Sequence, residues 1–85
     1  MSTKSQHNLI YKPVPGLLRT LREEASLTQR QIGQKLKKPQ SWVYNCETAN
    51  RRVDIAEFIQ WVKACDIDPI DALERLLTGK KKRKS

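Results

Sequence analysis

The chain has 85 residues, with 17 Lys plus Arg against 9 Asp plus Glu, a formal net charge of +8. That length sets one small domain whose modest core would gain from dimerisation, and that surplus suggests a polyanionic partner, most often nucleic acid. No apolar run approaches the ~20 residues of a membrane span, no Cys-x-x-Cys accompanies the single histidine to suggest zinc, and no phosphate loop or catalytic nucleophile motif is present, so no metal, cofactor, membrane or enzymatic activity is expected.

Residues 1–13 are polar, with Lys4, His7 and Lys12, and are expected to form a flexible N-terminal arm. A folded domain is expected over 14–79. Its first helix should run from about Pro15 to Ala25, with Leu17, Leu18, Leu21 and Ala25 as one apolar stripe and Arg19, Arg22, Glu23 and Glu24 around it. Thr28 with Gln31 three residues later is a capping box that opens a second helix, about Gln29 to Lys37. Ile32 and Leu36 give that helix an apolar side. Gly33, beside them, lets another helix cross close.

Pro39 suits the first turn of a third helix, about Pro39 to Thr48. Val43 and Cys46 form its apolar side. Gln40, Ser41, Trp42, Tyr44 and Asn45 are left pointing elsewhere: donors, acceptors and aromatic edges without a carboxylate. Such a face has the chemistry needed to read base edges in a DNA major groove.

Asp54 with Glu57 caps a fourth helix, about Ile55 to Cys65, with Ile55, Phe58, Ile59 and Val62 as its buried face. Asp68-Pro69 opens a fifth, lined by Ile70, Leu73, Leu76 and Leu77, and Gly79 can end it in the left-handed conformation. Residues 80–85 begin with five consecutive basic residues, Lys80 to Lys84, and form a solvated basic tail that could add non-specific attraction. Cys46 and Cys65 both fall on apolar faces. Two core thiols and no export signal fit a reducing cytoplasm. The pattern predicts an all-α fold, a compact five-helix bundle on one core with helices two and three crossing.

Leu27-Thr28-Gln29, Ile32, Gly33, Leu36, Gln40-Ser41, Val43 and Glu47 together resemble the helix-turn-helix of phage-repressor and Cro-like proteins, the xenobiotic-response-element (XRE) family. The resemblance extends from about Leu17 to Leu77. It implies the same five-helix arrangement and a transcriptional regulator, a repressor or autoregulator, that binds double-stranded DNA as a homodimer on a near-palindromic operator. Helix three would be the recognition helix, with base contacts from Gln40, Ser41, Asn45 and Tyr44. Gln29 would hydrogen-bond a phosphate and support the first side chain of that helix. Trp42 would mix packing with backbone contact. Arg51 and Arg52, in the loop that follows, would contact phosphates, with Lys38 beside them. Arg22 and Glu47 occupy family positions known for a buried ion pair. Ile70, Leu73 and Leu77, with Trp61 from helix four, would form the dimer surface.

The chain departs from the family at Ser26, Lys37 and Ala49, turn positions where glycine is usual. A positive φ at a non-glycine residue costs roughly 1–2 kcal/mol, so either these turns are reshaped or neighbours such as Asn50 take the left-handed conformation. The competing function is a protein-interaction module, antitoxin-like or coactivator-like, that holds a protein partner through helices four and five with DNA binding secondary.

Overall fold

Side-chain caps decide where the helices begin. The Thr28 hydroxyl accepts from the Gln31 backbone N–H at 3.0 Å, and the Gln31 amide oxygen accepts from the Thr28 N–H at 2.9 Å. Asp54 and Glu57 make the same reciprocal pair at 2.7 and 2.9 Å. Each pair satisfies two donors that the first helical turn leaves without partners. The Asp68 carboxylate accepts from the Ile70 N–H at 2.9 Å, with Pro69 opening the helix.

A computed structural model describes residues 9–79. It has five helices in chain order: α1 Pro13–Glu24, α2 Gln29–Leu36, α3 Gln40–Glu47, α4 Ile55–Ala64 and α5 Pro69–Thr78. Among the described residues there is no strand, and no helix is long and apolar enough to cross a membrane. Gly79 ends α5 at φ 72°. Pro39 differs from expectation: it is the extended residue just before α3, with ψ 159°, and not part of its first turn.

The fold reaches back further than the sequence suggested. Leu9–Tyr11 is helical, and α1 starts at Pro13 because a proline in the first turn gives up no helical hydrogen bond. Tyr11 packs against the core, and its hydroxyl accepts from the Val53 N–H at 3.0 Å. The rest of the expected arm, and the basic run at 80–85, lie outside the described residues.

Leu18, Leu21, Ile32, Val43, Cys46, Trp61 and Val62 are fully buried. They come from all of the first four helices, and Ala72 adds α5. Trp61 corrects an expectation. With 0% exposure it belongs to the core of the single chain and cannot form a dimer surface. Its indole N–H donates to the Leu18 carbonyl at 3.0 Å, which satisfies the one polar atom of an otherwise apolar side chain. Ile55 corrects another. Although it falls at the right period, it is 68% exposed, because the first residue of α4 projects past the edge of the core.

The turns between helices keep the left-handed geometry without glycine. Ser26, Lys37 and Ala49 take φ of 61°, 60° and 69°, and Asp66 takes 60°. The turns are not reshaped, and Ala49 rather than Asn50 carries the strain. Backbone hydrogen bonds hold these turns: Ser26 N–H donates to Glu23 O, Lys38 N–H to Gly33 O, Asn50 N–H to Asn45 O and Ile67 N–H to Val62 O, at 2.8 to 3.2 Å.

Gly33 is where α2 meets the turn. A Cβ there would lie 2.7 Å from the Lys38 carbonyl oxygen and 3.6 Å from a Val43 methyl. Absence of that atom lets the turn fold back tightly enough to seat α3. Helix α3 packs on α2 and α1, whereas α5 packs on α4 and α1. The outer face of α3 is therefore left uncovered.

Candidate nucleic-acid interface

The eight residues of α3 divide by helical period. Val43 and Cys46 point into the core; Gln40, Ser41 and Tyr44 are exposed, and Asn45 is half-buried beside them. The four proposed base-reading residues thus share one side of the helix, and they bring no charge to it.

A chain of polar contacts runs from the interior to the tip of this face. The Arg22 guanidinium grips the Glu47 carboxylate at two points, Nε to Oε2 at 2.6 Å and Nη2 to Oε1 at 3.0 Å. Both side chains are nearly inaccessible, at 10% and 3% exposure. Arg22 Nη1 donates to the Leu27 carbonyl at 2.8 Å, so the buried charge is hydrogen-bonded beyond its ion pair. The bond to Glu47 raises the Arg22 pKa above its ordinary value. Glu47 Oε1 also accepts from Gln29 Nε2 at 3.0 Å, and Gln29 Oε1 in turn accepts from Gln40 Nε2 at 3.2 Å. Each amide has its nitrogen assigned to the donating side. Gln40 is left with a carbonyl oxygen and one N–H, an acceptor and a donor side by side.

Trp42 turns away from the exposed polar face of α3 and is half-buried. Its ring lies 6.2 Å from the ring of Trp61. Lys38 Nζ is 5.2 Å from its centroid and the Arg51 guanidinium 4.9 Å, distances at which a cation is attracted to the ring face. Arg51 also holds Glu57 in a fork, Nη1 to Oε1 and Nη2 to Oε2, both at 3.0 Å. Its Nη1 makes a further bond to the Arg52 carbonyl at 2.7 Å. The Arg51 guanidinium, with the Asp54 N–H, holds the Glu57 carboxyl below its ordinary value. Burial pushes the neighbouring Cys46 thiol up.

Arg52 is exposed and lies 4.3 Å from the centre of the Tyr11 ring. No carboxylate pairs with it among the described residues. Lys38 is likewise exposed. Asn50 Nδ2 donates to Thr48 Oγ1 at 3.1 Å and to Asn45 Oδ1 at 3.4 Å, which tethers the Asn45 side chain to the loop. On α5, Ile70, Leu73 and Leu77 are 63%, 39% and 76% exposed.

Sequence reasoning missed three contacts here: Glu57 on Arg51, the two cations on Trp42, and Tyr11 under Arg52. Glu57 had a complete role as a cap, and nothing in its spacing announced a second one. Among the described residues, no group of His, Cys, Asp or Glu could hold a metal ion.

A family model described as a helix-turn-helix domain matches residues 16–79. Among solved structures, an XRE-family like protein from Pseudomonas syringae pv. tomato str. DC3000 is 35% identical, with a TM-score of 0.81 over 92% of this chain and 95% of that one. No curated protein matches the chain. The ordered residues from Leu27 to Glu47, the packing of α3 on α2 and these likenesses agree: the chain belongs to the XRE-type family of helix-turn-helix DNA-binding regulators.

Proposed function

We propose that this chain is a cytoplasmic, sequence-specific regulator of transcription that represses or autoregulates a promoter, with α3 in the major groove of double-stranded DNA. The observation that carries this reading is the relay from Arg22 through Glu47 and Gln29 to Gln40. A surface glutamine with no task has no need of a built support. This one presents an acceptor and a donor together, the pair that matches the N6 and N7 of adenine. Ser41, Tyr44 and Asn45 complete the reading face, and Gln29, Lys38 and Arg52 supply phosphate contacts around it. The chain acts as a homodimer on a near-palindromic operator, through the exposed Ile70, Leu73 and Leu77 of α5. Its two recognition helices then enter successive major grooves about 34 Å apart.

The test is selection of bound duplexes from genomic DNA at near-physiological salt, with wild type beside a folded Gln40→Ala, Ser41→Ala variant. A short two-fold motif, lost or relaxed in the variant, is the expected result. Weak binding to any duplex, equal in both proteins and steeply weakened by salt, would leave only phosphate attraction and end this reading.

One observation favours a second reading, a protein-interaction module of the antitoxin or coactivator kind. An apolar cleft of about 180 Å³ lies between α1, α4 and α5, lined by Tyr11, Val14, Val53, Phe58, Leu73 and Leu76. With Ile55 exposed at its edge, it could take an apolar side chain from another protein. Sequence-independent DNA binding, together with a stoichiometric protein complex lost on Leu73→Glu, would favour this module over the operator-binding reading.

A further inference from the structure

We infer that Arg51 is a positioning residue that sets the tilt of the recognition helix, and not a phosphate anchor; the inference rests on the proposed reading of DNA by α3. Three elements meet at this one guanidinium. Its face covers Trp42 of α3 at 4.9 Å. Its fork closes on Glu57 of α4, and its Nη1 bonds the Arg52 carbonyl in the connecting loop. Glu57 is itself fixed, because its Oε1 accepts from the Asp54 N–H at 2.9 Å as part of the α4 cap. Arg51 therefore fastens the Trp42 side of α3 to a rigid helix start, separately from the Arg22–Glu47 grip.

The same geometry argues against a phosphate role. Both Nη1 hydrogens are used within the chain, and one of the two on Nη2. The Glu57 carboxylate cancels the charge that a phosphate would meet, and an acid beside the site repels the DNA backbone. Arg52 is the opposite case, an exposed guanidinium with no carboxylate partner among the described residues. Two adjacent arginines thus divide the work: Arg52 faces the polyanion and Arg51 holds the reader.

A lysine has charge but no fork, and a phosphate contact tolerates that change whereas this clamp does not. Salt titrations on the selected operator separate the two roles. In a dimer that carries two copies of Arg52, Arg52→Gln is expected to lower the slope of log K against log salt by about 1.8, about 0.9 per protomer, and to leave base preference intact. Arg51→Gln, Arg51→Lys and Glu57→Gln are expected to keep the wild-type slope while losing about tenfold in preference for the operator over single-base variants. The proposal is overturned by Arg51→Gln lowering the slope with preference intact and lysine restoring it, or by Glu57→Gln simply tightening binding to every duplex.

A DNA-free measurement guards against failure of the underlying reading. In NMR spectra of the free protein, Arg51→Lys and Glu57→Gln are expected to shift the backbone amides of residues 40–45, whereas Arg52→Gln leaves them in place. Unmoved amides in α3 would overturn the clamp whether or not any duplex is bound. If the amides move but wild type has no sequence preference, the clamp stands as structure, and it is the DNA reading that fails.

Discussion

Glu47, at the last turn of α3, is held by Arg22 from the last turn of α1, across 25 positions of sequence and at 2.6 and 3.0 Å. With both side chains almost sealed from water, loss of one partner strands the other's charge. Arg22→Ala is expected to cost on the order of 3–5 kcal/mol in urea unfolding. A loss below about 0.5 kcal/mol would place the pair in solvent. The relay adds a second consequence. Glu47→Gln frees the Gln29 amide to turn over, so among variants that still fold, operator preference is expected to fall at the base proposed to pair with Gln40.

Gly33→Ala is expected to destabilise the domain by about 1–3 kcal/mol, the usual cost of overpacking. The added Cβ meets backbone, the Lys38 carbonyl oxygen at 2.7 Å, and backbone in a tight turn cannot swing aside. Thermal melts check this. An unchanged melting temperature would mean that the turn has room to give.

Ala49→Gly works in the other direction. At φ 69° alanine carries roughly 1–2 kcal/mol of left-handed strain, against roughly 0.5–1 kcal/mol of extra chain entropy that glycine loses on folding. A gain of about 0.5–1 kcal/mol is expected, which is about 2–8 °C in Tm for a domain this small. A lower Tm for the glycine variant would show that the alanine is not strained.

Cys65 makes stability depend on alkaline pH. Burial pushes its thiol up to about 11 from an ordinary 9.0. In the unfolded chain the thiol ionises near 9, while in the fold it keeps its proton. Its contribution is therefore complete below pH 9 and is lost as pH rises towards 11, by on the order of 2 kcal/mol. Cys65→Ala, although less stable at neutral pH, should show a shallower decline in urea midpoint across that window. Parallel declines would mean that the thiol is not protected.

Sedimentation tests the outer face of α5. Ile70 and Leu77 are exposed in the single chain, so Ile70→Glu with Leu77→Glu leaves the monomer fold within about 0.5 kcal/mol per site. A dimer that forms through this face falls to monomer mass. A variant that keeps the wild-type mass moves the interface elsewhere.

Local signals were the legible ones. Thr28 with Gln31 and Asp54 with Glu57 announce helix starts, because a cap is satisfied within four residues and needs nothing from the rest of the fold. Gln40, Ser41 and Tyr44 separate from Val43 and Cys46 by helical period alone. What the sequence left open depends on distant partners. Trp61 sits at a position that could face in or out, and only the Leu18 carbonyl, 43 residues away, gives its indole N–H a place inside. Ile55 has the right period but lies beyond the reach of the core. Arg51 looks the same as Arg52 until Glu57 and Trp42 are brought beside it. The resemblance marked Ser26, Lys37 and Ala49 as turn positions where glycine is usual but left open whether they keep the left-handed conformation, and Asp66 gave no sign of it; the geometry is imposed by the hydrogen bonds that end each helix.

The two indoles 6.2 Å apart, at 36° between planes, have an optical consequence. One is sealed in the core and the other rides on α3 beneath two cations. Indoles this close exchange excitation energy, and their near-ultraviolet circular dichroism carries a couplet whose sign follows their relative orientation. A change in the seating of α3 alters that orientation, because Trp42 rides on α3 and Trp61 on α4. The protein thus contains its own gauge of how α3 is seated, legible in solution without a label.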